Sequence, residues 1–167
     1  MARNGQKRWN WGCLVGIDVF TVNYGCDYGM TYVPDVNFQQ ALIDLGIDTD
    51  SILNDSVATA SIKFLTSLNV SYASIADLTG IEDFDSLQTL YCYSNQLTSL
   101  DVSANTTLTT LKCYGNQLTS LDVSTNTALT TLNCYSNQLT SLDVSTNMAL
   151  TYLKCNYNQL TSLDVSN

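Results

Sequence analysis

The chain has 167 residues, 45% hydrophobic and only 13% charged, enough apolar side chain to build the core of one domain. Fifteen acidic against six basic residues leave a net charge of -9, which excludes a basic phosphate-binding surface and with it nucleic acid as a partner. His is absent, Pro occurs once and Gly eight times, so the commonest general base is missing and the chain is not a flexible low-complexity polymer.

Residues 1–31 read as an N-terminal extension. It starts basic (Arg3, Lys7, Arg8) and turns apolar from Trp9 to Val22, an outline that fits an export signal, with Cys26 placed as in a lipoprotein leader. Asp18 interrupts that run. The alternative is a strand or hairpin over "CLVGIDVFTVNYGC" that extends the fold, with Cys13 and Cys26 paired across it in an oxidising compartment. No uninterrupted apolar run reaches the ~18 residues of a transmembrane helix, so no membrane span is expected.

Residues 32–64 predict an N-terminal cap with a helix near 36–45. In "YVPDVNFQQALIDLG" Asp35 is placed to N-cap, Phe38, Leu42 and Leu45 share one face, and Gly46 stands where a helix ends. Residues 65–86 read as a degenerate first coil of the repeat that follows. Leu65, Leu68, Val70, Ile75 and Leu78 keep its apolar positions, and Ala73 replaces its Asn.

Residues 87–167 hold four 21-residue repeats, the last incomplete. Cys92, Cys113, Cys134 and Cys155 recur at that step, as do Asn95, Asn116, Asn137 and Asn158, and Asp101, Asp122, Asp143 and Asp164. A fixed short period signals a solenoid, in which each coil buries its apolar side against its neighbours. Each unit has two related halves: "LTTLKCYGN" and "LTSLDVSTN" both follow L-x-x-L-x-[C/V]-x-x-N. The alternation within each half predicts a short strand with one buried face, and the Asn amide can satisfy backbone groups where the chain turns.

Leu108, Leu111, Cys113, Asn116 and Leu118 meet the L-x-x-L-x-L-x-x-N-x-L core, and the chain resembles the leucine-rich-repeat family. More narrowly it resembles the 21-residue nested (10+11) class of Bacteroidota-type bacteria. The resemblance implies a right-handed β-rich coil with a parallel sheet and a helical cap, in a secreted or cell-surface protein without cofactor. A surface rich in Thr, Ser and Asn agrees with that location.

The columns suggest different roles. The Cys column takes an inward Leu position, so its thiols stack about 4.8 Å apart, one strand spacing. Four thiols in a line cannot surround a tetrahedral zinc, and the column reads as free core thiols. The Asp column faces outward, either hydrogen-bonded to flanking Ser or offering weak Ca²⁺ sites. Outward letters vary most in the first half of each unit, which the fold places on a concave sheet. There Tyr93, Tyr114 and Tyr135 form one column beside Tyr91, Lys112, Asn133 and Lys154, with Tyr152 in the next. Exposed Tyr supplies rigid amphipathic contact area, and cross-strand stacking is the competing role.

No catalytic motif is present, so the expected function is binding or adhesion to a protein or glycan through that face. The alternative is self-association end to end: the sequence stops part-way through a coil, which places Leu160, Leu163 and Val165 at an open end.

Overall fold

A computed structural model describes residues 29–164. The expectations for Cys13, Cys26 and Val165 therefore lie outside the described residues.

The repeat folds as its pattern dictates. In each unit one inward Leu is flanked by two outward residues, giving the three-residue strands β3 (Ser67–Asn69), β4 (Thr89–Tyr91), β5 (Thr110–Lys112), β6 (Thr131–Asn133) and β8 (Tyr152–Lys154). They form one parallel sheet, β3-β4-β5-β6-β8, with Leu68, Leu90, Leu111, Leu132 and Leu153 in register. The step is 22 residues from Leu68 to Leu90 and 21 thereafter, so the first coil is one residue longer. The second half of each coil is extended chain and turns, with β7 (Ser141–Asp143) and β9 (Ser162–Asp164) paired in a separate parallel sheet. The molecule is a leucine-rich-repeat solenoid of about five turns.

Asn side chains fasten one coil to the next. Asn116 Nδ2 donates to Cys92 O and Cys113 O, both at 3.0 Å, while its Oδ1 accepts from Leu97 N at 3.1 Å. Asn95, Asn137 and Asn158 make the same kind of bridge. A second ladder is fully buried: Asn126 Nδ2 donates to Val102 O (3.0 Å) and Asn105 O (2.9 Å), and Asn147 repeats this one coil on. Buried backbone carbonyls and amides need partners, and these amides supply them where no strand can. Before each first-ladder Asn the chain enters the left-handed region, at Ser94 (φ 55), Gly115 (φ 65), Ser136 (φ 54) and Tyr157 (φ 55). Tyr72 (φ 58) does the same in the first coil. The core is the stacked Leu, Val and Cys of successive coils, with Cys92, Cys113 and Cys134 fully buried.

The cap is built from β1 (Met30–Tyr32) antiparallel to β2 (Ser56–Ala58), α1 (Val36–Asp44) and the short α2 (Thr59–Ile62). Strand β1 crosses the 31/32 junction, so the cap takes in two residues assigned above to the extension. Asp35 N-caps α1, its Oδ1 accepting from Asn37 N and Phe38 N at 2.9 Å. Its Oδ2 accepts from Ala76 N (2.8 Å) and Asp77 N (3.0 Å) of the first coil. Phe38 packs on Phe84 with ring centroids 6.4 Å apart, a second tie between cap and coil. Leu45 does not join Phe38 and Leu42 in the core. The helix ends at Asp44, Leu45 becomes the C-cap, and it is 50% exposed. Gln39 is buried in its place, its Nε2 donating to Ile52 O and Ser56 O at 3.0 Å and its Oε1 accepting from Asp55 N.

Candidate binding face

The outward positions of the five-stranded sheet carry no Asp or Glu, although the chain is strongly acidic. Three rings form a stack along it. Tyr93 and Tyr114 have centroids 4.3 Å apart and planes 7° from parallel, and Tyr114 and Tyr135 are 4.7 Å and 16° apart. Ring spacing this close to the strand spacing follows from residues in register on neighbouring parallel strands. Tyr72 meets Tyr93 edge-on at 5.2 Å, so the aromatic row begins in the first coil. Lys154 Nζ lies 4.1 Å from the centroid of Tyr135, and Lys112 Nζ lies 4.5 Å from that of Tyr91. Burial, then the neighbouring phenols of Tyr93, Tyr72 and Tyr135, push the Tyr114 hydroxyl up to about 12, so it is a neutral donor at physiological pH.

The structure thus brings Tyr91, Tyr93, Lys112, Tyr114, Tyr135 and Lys154 together. Asn133 is different: it is only 9% exposed, and its Oδ1 faces Tyr135 N at 3.5 Å. It is floor rather than contact surface. Tyr152 is 50% exposed on β8. Two residues absent from the sequence reading stand out. Tyr72 and Tyr157, 74% and 79% exposed, hold the same left-handed corner position at opposite ends of the array. The signal was available, because the residue before the ladder Asn runs Ser94, Gly115, Ser136, Tyr157, small residues and then a Tyr.

The other columns behave differently. Burial pushes the Cys92 and Cys134 thiols up to about 12 and Cys113 well above its ordinary value, and all four ladder cysteines are free. A thiol held neutral this way is a poor nucleophile and metal ligand. Asp101, Asp122 and Asp143 each fold one oxygen back onto a turn, accepting from Ser103 N (2.9 Å), Ser124 N (2.9 Å) and Ser145 N (2.8 Å). The Ser103 side chain and then its amide hold the Asp101 carboxyl low, and the Ser124 amide does the same for Asp122. Among the described residues no three His, Cys, Asp or Glu side chains are grouped so as to hold a metal ion. Leu160 is half-buried and Leu163 is 43% exposed. No helix among the described residues is long and apolar enough to cross a membrane.

No family model matches the chain. Over 58 residues, 35% of its length, it is 47% identical to internalin J of Listeria monocytogenes, of which that stretch spans 6%. The solved functional domain of internalin J, described as including a cysteine ladder, superposes with a TM-score of 0.74 at 43% identity, covering 82% of this chain and 31% of that one. A leucine-rich-repeat protein of Leptospira interrogans superposes with a TM-score of 0.60 at 29% identity, over 62% of this chain and 28% of that one. The chain therefore spans about a third or less of each of these relatives. Repeat, sheet and similarity agree: the chain folds as a leucine-rich-repeat coil and is similar to bacterial proteins of that kind.

Proposed function

We propose that the chain is a non-enzymatic binding module of a secreted or cell-surface bacterial protein, and that it recognises a protein ligand through its five-stranded sheet. The observation that carries this reading is the row Tyr72–Tyr93–Tyr114–Tyr135, flanked by Lys112 and Lys154, on a face without acids. Aromatic and cationic side chains on a rigid scaffold are what binding hot spots are made of. Similarity to internalin J and to the Leptospira protein supports a bacterial repeat module of this kind, and it requires no Bacteroidota origin.

The stack favours protein over glycan. Sugars bind tyrosine by lying on a ring face, and the faces of Tyr93, Tyr114 and Tyr135 are turned to one another or to Lys154. What the row offers a partner is ring edges and hydroxyls. The test is capture of protein ligands from surface extracts, run beside a glycan array, with the Tyr93→Ala/Tyr114→Ala/Tyr135→Ala variant as comparator. Protein capture that vanishes in the variant while circular dichroism is unchanged supports the assignment. Capture that survives in the variant rejects this face, and glycan binding lost with the tyrosines rejects the choice of ligand class.

A further inference from the structure

Two rows of side chains on this solenoid share one period. One is the hydroxyl edge of Tyr93, Tyr114 and Tyr135, with Lys112 and Lys154 beside it. The other is the carboxylates of Asp101, Asp122, Asp143 and Asp164, all on exposed positions. Both repeat once per coil because both are written once per 21 residues. Strand pairing fixes the step at about 4.8 Å along the tyrosine side and, on the acid side, where β7 pairs with β9 and sets Asp143 beside Asp164, so the two rows share their pitch there and their period throughout. They are matched in chemistry too: neutral phenols and ammonium groups donate, and ionised carboxylates accept. One oxygen of Asp101, Asp122 and Asp143 accepts from its own turn, and each carboxylate stands at an exposed position. The low carboxyl pKa of Asp101 and Asp122 and the high hydroxyl pKa of Tyr114 keep both sides in these forms at neutral pH.

We propose that the partner of the tyrosine face is a row of carboxylates one coil apart, and that a second copy of this chain supplies it through Asp101, Asp122, Asp143 and Asp164. The proposal rests on the reading of that face as a binding surface and names its occupant. Each phenol meets one carboxylate. Lys112 and Lys154 stand two coils apart, so they pair with alternate acids, either Asp101 and Asp143 or Asp122 and Asp164. The tyrosines follow β4, β5 and β6 and the acids lie in the other half of each unit, so the contact is between unlike surfaces and lies side by side, not end to end. A contact between unlike faces leaves a free face and a free row on every pair, so mass grows with concentration until a ring closes or a filament extends.

Sedimentation velocity of the full chain over a wide concentration range tests this, with charge exchange as the diagnostic. Salt is a poor probe, because it screens the local attraction and the repulsion between two chains of net charge -9 alike. Wild type is expected to self-associate. Lys112→Glu/Lys154→Glu is expected to be monomeric alone and to associate when mixed with Asp101→Lys/Asp143→Lys or with Asp122→Lys/Asp164→Lys, whichever pair holds the register, since the altered face of one then meets the altered row of the other. Tyr93→Phe/Tyr114→Phe/Tyr135→Phe keeps the stack and removes only the hydroxyls, and is expected to weaken association roughly tenfold or more. A strict monomer at every concentration overturns the proposal, as does association untouched by either the Lys→Glu or the Tyr→Phe exchange. A monomeric wild type that still captures a foreign protein, and loses it in the Tyr→Ala variant, overturns the second copy as occupant while leaving the face assignment standing.

Discussion

The Tyr93 ring lies on the Tyr114 ring with centroids 4.3 Å apart and planes 7° from parallel. Two residues 21 apart in sequence are thus one stacked unit. A double-mutant cycle on Tyr93→Ala and Tyr114→Ala, read by urea unfolding, is expected to show coupling of about 0.5–1.5 kcal/mol. Strictly additive losses would mean that the rings do not support one another in solution.

Asn116 closes three buried backbone groups at once: Cys92 O, Cys113 O and Leu97 N. Asn116→Ala leaves Leu97 N without its acceptor, while Cys92 O keeps Asn95 and Cys113 O keeps Asn137, and is expected to cost about 2–3 kcal/mol. Asn116→Asp keeps the acceptor for Leu97 N but turns an oxygen toward two carbonyls, so it is expected to be no better than Ala. Asn158, only half-buried, should cost clearly less when replaced by Ala. Equal losses at Asn116 and Asn158 would argue against burial as the source of the penalty.

Asp35 accepts four backbone amides, two from α1 and two from the first coil. Asp35→Ala is expected to lose the N-cap contribution of about 1 kcal/mol and also the junction between cap and solenoid. Hydrogen exchange should rise at Ala76 and Asp77 as much as in the first turn of α1. A rise confined to the helix would mean that the junction is held by its other ties, Phe38 on Phe84, Asn37 on Ser74 O and Thr31 on Asp83.

Alkaline pH should expose the buried thiols. Burial raises Cys92 and Cys134 from 9.0 to about 12. In the unfolded chain these thiols ionise near 9.0, so their contribution to stability is complete below that pH and is lost as pH rises toward 12. Tyr114, raised from 10.0 to about 12, adds to the same trend. Unfolding free energy is expected to fall above pH 9.0 with a slope of up to about 1.4 kcal/mol per pH unit for each such group. Replacing Cys92 by Ala should flatten that slope. A slope identical in Cys92→Ala would show that this thiol already ionises in the folded state.

The period made the solenoid legible from the letters. Once Cys113 follows Cys92 at the step of Asn116 after Asn95, the sheet register and the inward Leu rows follow. That Tyr93, Tyr114 and Tyr135 share a column follows as well. That their faces close on one another does not, because it depends on side-chain rotamers and on where Lys154 comes to rest. The second pair of donors to Asp35 was equally hidden. Ala76 and Asp77 lie 41 and 42 residues away, and nothing in either residue type marks them as partners of a carboxylate. Leu45 misled for a related reason: helical periodicity assigns it to the core, but the helix stops one residue too soon. Tyr72 and Tyr157 escaped notice because a bulky residue at positive φ is against expectation.

Because Asn116 reaches back to Cys92 as Asn137 reaches back to Cys113, every 21-residue unit carries its own fastener to the unit before it. The array therefore has a phase. Excising residues 108–128 joins Thr107 to Leu129 and puts Asn137 where Asn116 stood, with every inward letter conserved in kind. A cut that is not a whole number of 21-residue units throws the Cys and Asn ladders out of phase. Length can change only in whole turns, and each turn brings its own outward letters with it. The reach of the sheet and the pattern it displays are edited by the same event.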